Sequence, residues 1–299
     1  FSLFLHNSII ALLLVFFMPA WAALDRGQDT SREAQEDDPM RWDKYEHSVG
    51  RDRFSPAYID SVLDAHDVGD NRGLGNPVEI PFTREKLVFD GGWGFIRAGW
   101  ALLIAEYEQS DSTVFNCIGK VITNSFVSAF YKVRDYVQAH CDAQNLYRLF
   151  FEQDIQEGRY TDKRWTIFDH KKSRVFYMSK KGEIESDAKP GIQNYLSLLY
   201  YLRTMDFGVK DTFFIRCFYH RKDYPILFTI KKIEAVKVPA GEFMCYKVEP
   251  RLEGEGRGFT KRDRITVWLT ADKYKMPVLV KAKINIGSLS ARLLHYERE

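Results

Sequence analysis

The chain has 299 residues, of which 45% are hydrophobic and 28% charged, and its formal net charge is +2. A charge this close to zero argues against a nucleic-acid partner, because binding to phosphates favours a strongly basic surface. The length suffices for one large β domain or two small ones. No repeat of fixed period is visible, which excludes solenoid and propeller architectures.

Residues 1–22 are typical of a secretory signal peptide. They contain no Lys, Arg, Asp or Glu, and the apolar run Ile9 to Met18 precedes Ala20-Trp21-Ala22, a small-x-small cleavage motif. The run is shorter than the about 20 residues that a membrane span needs. We therefore expect cleavage after Ala22, export to the periplasm and no transmembrane span in the mature chain. The alternative is an uncleaved anchor helix.

An acidic segment, residues 23–83, follows the predicted signal. It carries twice as many acidic as basic residues, and it begins with a polar stretch that is poor in β-branched residues. This composition predicts a flexible leader, with one short helix that starts at Ser55 and Pro56. Residues 84–299, which are basic overall, form the predicted β domain.

The predicted domain opens with three strands, because hydrophobic residues alternate along three segments. They are Leu87 to Phe95, Ala98 to Glu108 and Val114 to Thr123. Glycines on both sides of Trp93 predict a bulge or a close backbone approach in the first hairpin.

The spacing of apolar residues then becomes that of a helix. Four of them recur every three or four residues: Phe126, Phe130, Val133 and Val137. With Asn124 or Ser125 as its cap, this spacing predicts an amphipathic helix that ends near His140.

A second group of strands and a second helix follow. The strand patterns are Leu146 to Ile155, Arg159 to Phe168 and Val175 to Ser179. After Pro190, helical spacing returns at Ile192, Tyr195, Leu196, Leu199 and Leu202. From Asp211 onward only strand and turn patterns occur. The order predicts a mainly β fold, an antiparallel meander that forms a partly open β-barrel or strongly curved sheet covered by two amphipathic helices.

Four cysteines permit two disulfides in an oxidising compartment. If the last strands are consecutive, Cys217 and Cys245 lie two strands apart, at about 9.6 Å, whereas a disulfide spans at most about 7 Å. These two are therefore predicted to be buried free thiols. Cys117 with Cys141 is the candidate disulfide.

No catalytic, metal-binding or cofactor-binding constellation stands out. The segment Gly287-Ser288-Leu289-Ser290-Ala291 departs from the G-x-S-x-G motif of hydrolases, and Gly91-Gly92-Trp93-Gly94 lacks the later glycine of a dinucleotide fingerprint. We therefore expect no catalytic residue, no metal ion and no cofactor.

Aromatic residues make up 15% of the chain, more than a routine core requires. One interpretation is a large aromatic core. The other is an apolar ligand cavity between the helices and the first hairpin. The candidate cavity residues are Trp93, Phe95, Trp100, Phe126, Phe130, Tyr195, Leu196 and Leu199.

Several segments carry a family resemblance through their residues and their order. They include Gly92-Trp93-Gly94-Phe95-Ile96-Arg97-Ala98-Gly99, Leu198-Leu199-Tyr200-Tyr201-Leu202-Arg203, Val238-Pro239-Ala240-Gly241-Glu242-Phe243-Met244-Cys245 and Thr266-Val267-Trp268-Leu269-Thr270. Residues 84–299 thus resemble DUF3108, a family of exported Gram-negative bacterial proteins of unknown function. The resemblance implies an envelope location and a single β-rich domain, and it brings no activity and no catalytic residues. In outline the layout is also similar to periplasmic lipoprotein carriers, whose open barrel and helical lid hold acyl chains.

Three functions are open at this point. The first is a non-catalytic periplasmic protein that binds an apolar or amphiphilic envelope ligand, either a lipid or a lipidated segment. The second is a structural or interaction protein whose β core is filled by its own side chains and which docks an envelope partner. The third is an enzyme that acts on envelope glycans or lipids.

Overall fold

The structure, a computed structural model, describes residues 64–65, 74–179, 182–219, 222–252, 264–284 and 287–299. The predicted signal peptide and most of the predicted leader, with its short helix, lie outside these residues. The strands and helices of the described part, in chain order, are β1 (Arg84–Trp93), β2 (Ile96–Tyr107), β3 (Val114–Thr123), α1 (Ser125–Ser128), β4 (Arg134–Asp142), β5 (Arg148–Glu157), β6 (Tyr160–Asp169), β7 (Arg174–Ser179), β8 (Gly182–Asp187), α2 (Tyr195–Thr204), β9 (Thr212–Tyr219), β10 (Lys222–Val238), β11 (Gly241–Leu252), β12 (Arg264–Thr270), β13 (Pro277–Ile284) and β14 (Gly287–Arg298).

These strands form one antiparallel sheet that consists of two meanders. The first meander runs from β1 outward to β8, and the second runs from β9 back to β14. The two meet where β1 pairs with β14. The connection between the outer strands β8 and β9 contains α2. The predicted mainly β, antiparallel meander is confirmed.

The sheet curls until its distant strands face each other. In the sheet order β6 and β9 are eleven strand steps apart, which would separate them by roughly 50 Å in a flat sheet. The rings of Phe168 in β6 and Phe218 in β9 nevertheless have their centroids 5.9 Å apart. Over the described residues β8 and β9 do not pair, so the curled sheet stays open. The β9 edge is covered instead by Gln193, whose N–H donates to the Arg216 carbonyl oxygen at 2.9 Å.

Glycines allow the first hairpin to pack closely. A Cβ atom on Gly99 would lie 2.0 Å from the carbonyl oxygen of Ile122 in β3. Any other residue would clash there, so β2 and β3 can approach this closely only because residue 99 is glycine. The register between β1 and β2 shifts between Gly91 and Gly92. This shift confirms the predicted bulge.

Helix α2 lies inside the curled sheet, whereas the sequence predicted a cover. Its buried residues are Tyr195, Leu196, Ser197, Leu198, Tyr200, Leu202 and Arg203. One side packs into the large core formed by the inner faces of both meanders, and the other side packs on a cluster that includes Ile215 and Phe228. A helix that is apolar on most sides belongs in an interior. The hollow space expected beneath a helical lid is therefore occupied by the helix itself.

The predicted helix from Asn124 to His140 is wrong beyond its first turn. Helix α1 is capped at Asn124, whose Oδ1 accepts from the Val127 N–H at 2.9 Å, and it ends at Ser128. The following residues form strand β4, with Val137, Ala139 and Cys141 buried. The four-residue spacing from Val133 to Val137 fits a strand as well as a helix, because four is also a multiple of two.

A buried ion network ties α2 to the seam between the meanders. Glu85 of β1 accepts from Nη1 and Nη2 of Arg203 at 2.6 and 2.9 Å, and from Nη2 of Arg298 in β14 at 2.7 Å. Arg203 Nε donates to the Tyr274 carbonyl oxygen at 3.0 Å. The charge of Arg203 is thus fully matched in the interior.

The last part of the predicted leader packs against the sheet. Phe82 is buried in the core. The Val78 N–H donates to the Gln144 carbonyl oxygen at 2.8 Å, and the Thr83 N–H donates to the Glu299 carbonyl oxygen at 2.9 Å. Residues 74–83 therefore belong structurally to the domain.

All four cysteines are buried free thiols. The prediction for Cys217 and Cys245, in β9 and β11, is confirmed. Cys117 and Cys141 lie on the neighbouring strands β3 and β4 with their thiols hydrogen-bonded, and burial together with this contact raises the pKa of Cys117. No bond joins them in this structure, so the Cys117–Cys141 disulfide stays a prediction.

Candidate functional site

The eight candidate cavity residues do not come together around one cavity. Tyr195 and Leu196 of α2 lie in the interior, and Leu199 and Trp93 pack partly buried against the same core. Trp100 lies on the opposite face of β2, in a cluster with Val88, Leu102 and Ile104. Phe95, Phe126 and Phe130 are exposed, at 99%, 64% and 63%. Because strand residues alternate between faces, Trp100 cannot share a cavity with its inward-facing neighbours.

A different pocket lies where α2 begins, between the inner face of β5–β7 and strand β9. It holds about 20 Å³, room for one or two water-sized groups, and it opens to solvent. Its lining is half aromatic and half polar: Arg148, Phe151, Gln153, Arg164, Thr166, Phe168, Tyr177, Asn194, Tyr195 and Phe218. Of the candidate cavity residues, only Tyr195 lines it.

Arg148 is the most unusual side chain of this pocket, because it is a fully buried cation. Its Nε donates to the Ile192 carbonyl oxygen at 3.1 Å, and Nη2 donates to the same oxygen. Its Cζ lies 3.7 Å from the ring centroid of Phe168. Nη1 is buried without a hydrogen-bond partner. Within the part of the chain that the structure describes, no carboxylate pairs with Arg148.

Burial lowers the pKa of Arg148 to about 9. The side chain therefore still carries its positive charge near pH 7. A buried charge without a counter-charge is unfavourable, because the interior does not replace the hydration that the cation loses.

A bulge in β5 turns Arg148 inward. The pairing of β4 with β5 goes from His140 opposite Phe150 to Cys141 opposite Arg148, so Leu149 is an extra residue. The extra residue places Arg148 on the same side as Phe151. With strict alternation, Arg148 would share the outward face of Phe150.

His170 supports the backbone of Arg148 from the β6–β7 turn. Its Nε2 lies 2.6 Å from the Arg148 carbonyl oxygen, and its Nδ1 accepts from the Gly191 N–H at 3.4 Å. Burial and the Arg148 charge lower the pKa of His170 to about 4. His170 is therefore neutral at pH 7, with its proton on Nε2, and adds no charge to the site.

Asn194 brings a second unused donor to the pocket. It is the N-cap of α2, and its Oδ1 accepts from the Leu196 and Ser197 N–H groups, both at 2.7 Å. Both bonds use the oxygen, so the side-chain amide is fixed with Nδ2 free. This Nδ2 is buried without a partner.

Three other polar residues of the pocket, Gln153, Tyr195 and Arg164, have hydrogen-bond partners. Gln153 Nε2 donates to the Tyr195 hydroxyl at 2.8 Å. Arg164 Nε donates to Asp162 Oδ2 at 2.7 Å, and the Tyr160 hydroxyl donates to the same oxygen at 2.7 Å. The charge of Arg164 is thus already neutralised by Asp162.

Two carboxyl groups lie close together on the neighbouring strands β4 and β5. Asp135 and Glu157 are within hydrogen-bonding reach of each other, and such a contact needs a proton on one of them. Burial first, then the mutual repulsion, raises the pKa of Asp135, and burial raises that of Glu157 to about 7. Neither residue lines the pocket described above. Across the described ranges, no three His, Cys, Asp or Glu side chains are arranged to hold a metal ion, and no helix is long and apolar enough to cross a membrane.

Sequence reasoning missed Arg148 and Asn194 as site residues. A single arginine within a strand pattern predicts an outward side chain, and nothing in the sequence marks the bulge at Leu149. Asn194 could have been found as a cap, because it stands directly before an apolar run with helical spacing. Its unused amide donor depends on the pocket and has no signal in the sequence.

The chain has a similar fold to a β-barrel-like protein of domain DUF1849 from Brucella abortus, with a TM-score of 0.51 and 11% identity, over 74% of this chain and 100% of that chain. A protein described as exported with a YmcC-like fold, from Bacteroides fragilis, gives a TM-score of 0.33 and 12% identity over 74% and 98% of the two chains. A protein described as a lipoprotein, from Parabacteroides distasonis, gives 0.29 and 11% over 75% and 100%. Because the TM-scores of the last two are as low as 0.33 and 0.29, nothing about the fold of this chain is concluded from them.

No curated protein matches the chain. The family model named "Protein of unknown function (DUF3108)" matches residues 88–294, which is more than two thirds of the chain. The chain therefore belongs to the DUF3108 family.

Proposed function

We propose that this protein is a non-catalytic protein of the bacterial envelope that binds an amphiphilic ligand at the pocket beside α2. The observation that carries the proposal is the buried, unpaired guanidinium of Arg148 in a pocket that opens to solvent. Uncompensated buried polar groups are rare in folded proteins, and they often mark binding sites.

The lining supports a ligand with both polar and apolar parts. Phe151, Phe168 and Phe218 supply apolar walls, and the two unused donors supply polar contacts. Ligand sites commonly combine an apolar lining with a few convergent polar groups.

The interior position of α2 changes how such a ligand would be held. Because the helix fills the interior, the pocket admits the end of a molecule and not a whole acyl chain. The apolar part would leave through the opening and lie along the protein surface or in a membrane. We therefore favour a ligand of which only the head group is bound, and not a lipid that the protein encloses completely.

Export to the periplasm is part of the proposal. It is supported by the signal-peptide pattern of residues 1–22, which lie outside the described residues, and by the resemblance drawn from the sequence. Recovery of the mature protein in the periplasmic fraction, with an N-terminus at or near Ala23, would support this location.

Native mass spectrometry tests the proposed ligand. Protein purified without detergent from the envelope of a Gram-negative host should carry an amphiphile as a bound mass. Thr166→Met, which fills the pocket, should lose this mass, whereas Thr161→Met, an exposed position on the same strand, should keep it. If the wild-type protein carries no such mass and binds no added fatty acid, the proposal is wrong.

A second candidate is an interaction protein, and one observation favours it. Phe126 and Phe130 form an exposed edge-on pair with ring centroids 5.7 Å apart. Asn124, next to them, donates to the Arg97 carbonyl oxygen, which places them at the same end of the sheet as Phe95. Large exposed aromatic residues in one region mark contact surfaces. A pull-down from envelope extract that depends on Phe95, Phe126 and Phe130, from a protein that binds no amphiphile, would favour this function.

A further inference from the structure

The pocket carries one unbalanced positive charge. Arg164 is paired with Asp162 at 2.7 Å, and the neutral His170 adds none. Arg148 has no acidic partner among the described residues, and it still bears its charge at pH 7. A ligand that neutralises the site therefore needs one negative charge. A dianionic group would bring a second negative charge into the pocket with no cation to match it.

Two donors of the pocket are buried and unused. Nη1 of Arg148 and Nδ2 of Asn194 both lack a partner, and both side chains are held in place by their other bonds. Two unused N–H groups on residues that line one small pocket suit a pair of oxygen acceptors on one group.

The pocket is small, about 20 Å³, so it takes a small head group and not a long chain. The preference for a monoanionic carboxylate over a dianionic phosphate comes from the single unmatched charge of Arg148. The ring of Phe168 beneath the guanidinium leaves its edge, which carries the donors, as the side that can meet an anion.

We propose that the pocket binds the carboxylate of a monoanionic amphiphile, such as a fatty acid, through Arg148 Nη1 and Asn194 Nδ2. This inference rests on the proposed function, since it names the head group of the ligand held at the same site. The carboxylate supplies the counter-charge that Arg148 lacks in the interior, and the aromatic walls contact the first carbons of the chain.

The test compares three probes of equal chain length by isothermal titration calorimetry at pH 7.5: decanoate, decanol and decyl phosphate. The wild-type protein should bind decanoate at least about tenfold more tightly than either of the others, because only decanoate offers a single counter-charge to Arg148. If decanol binds as tightly as decanoate, or if decyl phosphate binds more tightly, the carboxylate assignment is wrong while the proposed function stands. If none of the three binds, the proposed function fails with it.

Asn194→Asp is the most informative variant. It keeps the capping oxygen of α2 but replaces the donor Nδ2 with a second oxygen, which adds a negative charge to the pocket and repels a carboxylate. Decanoate binding should weaken by about ten- to a hundredfold, while decanol binding changes less than about twofold. The matched control is Asn124→Asp, the same change at the N-cap of α1, which should leave decanoate binding unchanged.

Arg148→Met provides a second, independent variant. It removes the charge while keeping an apolar side chain of similar length over Phe168. It should lose the preference for decanoate over decanol. The folding control is circular dichroism, which should match the wild-type spectrum for both Arg148→Met and Asn194→Asp. If a folded Arg148→Met or Asn194→Asp protein retains the wild-type preference, the proposal is overturned.

Discussion

Two arginines lie buried at opposite ends of α2, and their surroundings differ. Arg203, in the last turn, is bidentate to Glu85 and also bonds the Tyr274 carbonyl oxygen. Arg148, beside the first turn, bonds only one carbonyl oxygen and keeps Nη1 unpaired. Burial would lower the pKa of Arg203, but the Glu85 carboxylate outweighs it and raises that pKa, whereas burial alone dominates at Arg148. Two equally buried arginines thus have opposite effects: Arg203 is stabilised by its carboxylate partner, whereas Arg148 lowers the stability of the free protein.

The difference separates a structural charge from a functional one. A buried ion pair is worth keeping once formed, because removing one partner strands the other. A buried charge that was never paired lowers the stability of the free protein. A residue that lowers stability in this way is therefore expected to have a functional role.

The largest expected effect is at the paired end. Glu85→Gln leaves the Arg203 charge without its carboxylate, so the free energy of unfolding should fall by about 3–5 kcal/mol in urea titrations. The control is Glu106→Gln, which breaks a partly exposed pair with Arg84 and should cost less than about 1 kcal/mol. Equal effects of the two changes would contradict the structural role of the Glu85 pair.

At the unpaired end the sign should reverse. Arg148→Met removes an uncompensated buried charge and keeps the contact with Phe168, so the free energy of unfolding should stay the same or rise, by up to about 4 kcal/mol. The same urea titrations measure it. A loss of more than about 2 kcal/mol would show that Arg148 contributes to the stability of the fold as Arg203 does.

Much of the fold could be predicted from the sequence, because alternation reports which residues face the core. Strand β13 shows this, since Val278, Val280 and Ala282 are all buried on one face as their spacing indicates. Strand β4 could not be told from a helix, since a spacing of four residues suits both and Ala139 and Cys141 are weak apolar signals.

The site depended on features that alternation does not encode. Arg148 reaches the pocket through a one-residue bulge, and the pocket exists only because β6 and β9, distant in the chain, meet around α2. Of the residues proposed from the sequence, Tyr195 lines the pocket because its helix was predicted correctly. The aromatic residues of the first hairpin, with Phe126 and Phe130, were assigned to a different cavity, closed in part by a predicted helix that is largely a strand.

A smaller effect on stability separates the roles of the two amide atoms of Asn194, the capping Oδ1 and the unused Nδ2. Asn194→Ala removes the cap of α2 and should lower the free energy of unfolding by about 1 kcal/mol. Asn194→Asp retains the capping oxygen and adds a negative charge to a pocket that holds an unmatched positive charge, so its urea midpoint should match or exceed that of the wild type. A midpoint for Asn194→Asp as low as that of Asn194→Ala would contradict the separation of the two roles.

A pH-dependent effect concerns the carboxyl pair of Asp135 and Glu157, which shows what burial does to acidic groups. The folded protein holds the Glu157 proton up to about pH 7, while the unfolded chain releases it near 4.5, so stability from this group falls as pH rises through that window. Melting curves should show that Glu157→Gln, which cannot ionise, gains stability relative to the wild type between pH 4.5 and 7 and keeps this gain at pH 8. A constant difference across the range would argue against the shared proton.

The most direct test of the unpaired arginine is a crystal structure of the wild-type protein grown with decanoate. We expect a carboxylate in the pocket beside α2, with its oxygens within hydrogen-bonding distance, about 2.7–3.0 Å, of Arg148 Nη1 and Asn194 Nδ2. An acidic side chain of the protein paired with Arg148, or decanoate bound elsewhere with this pocket holding only water, would contradict it.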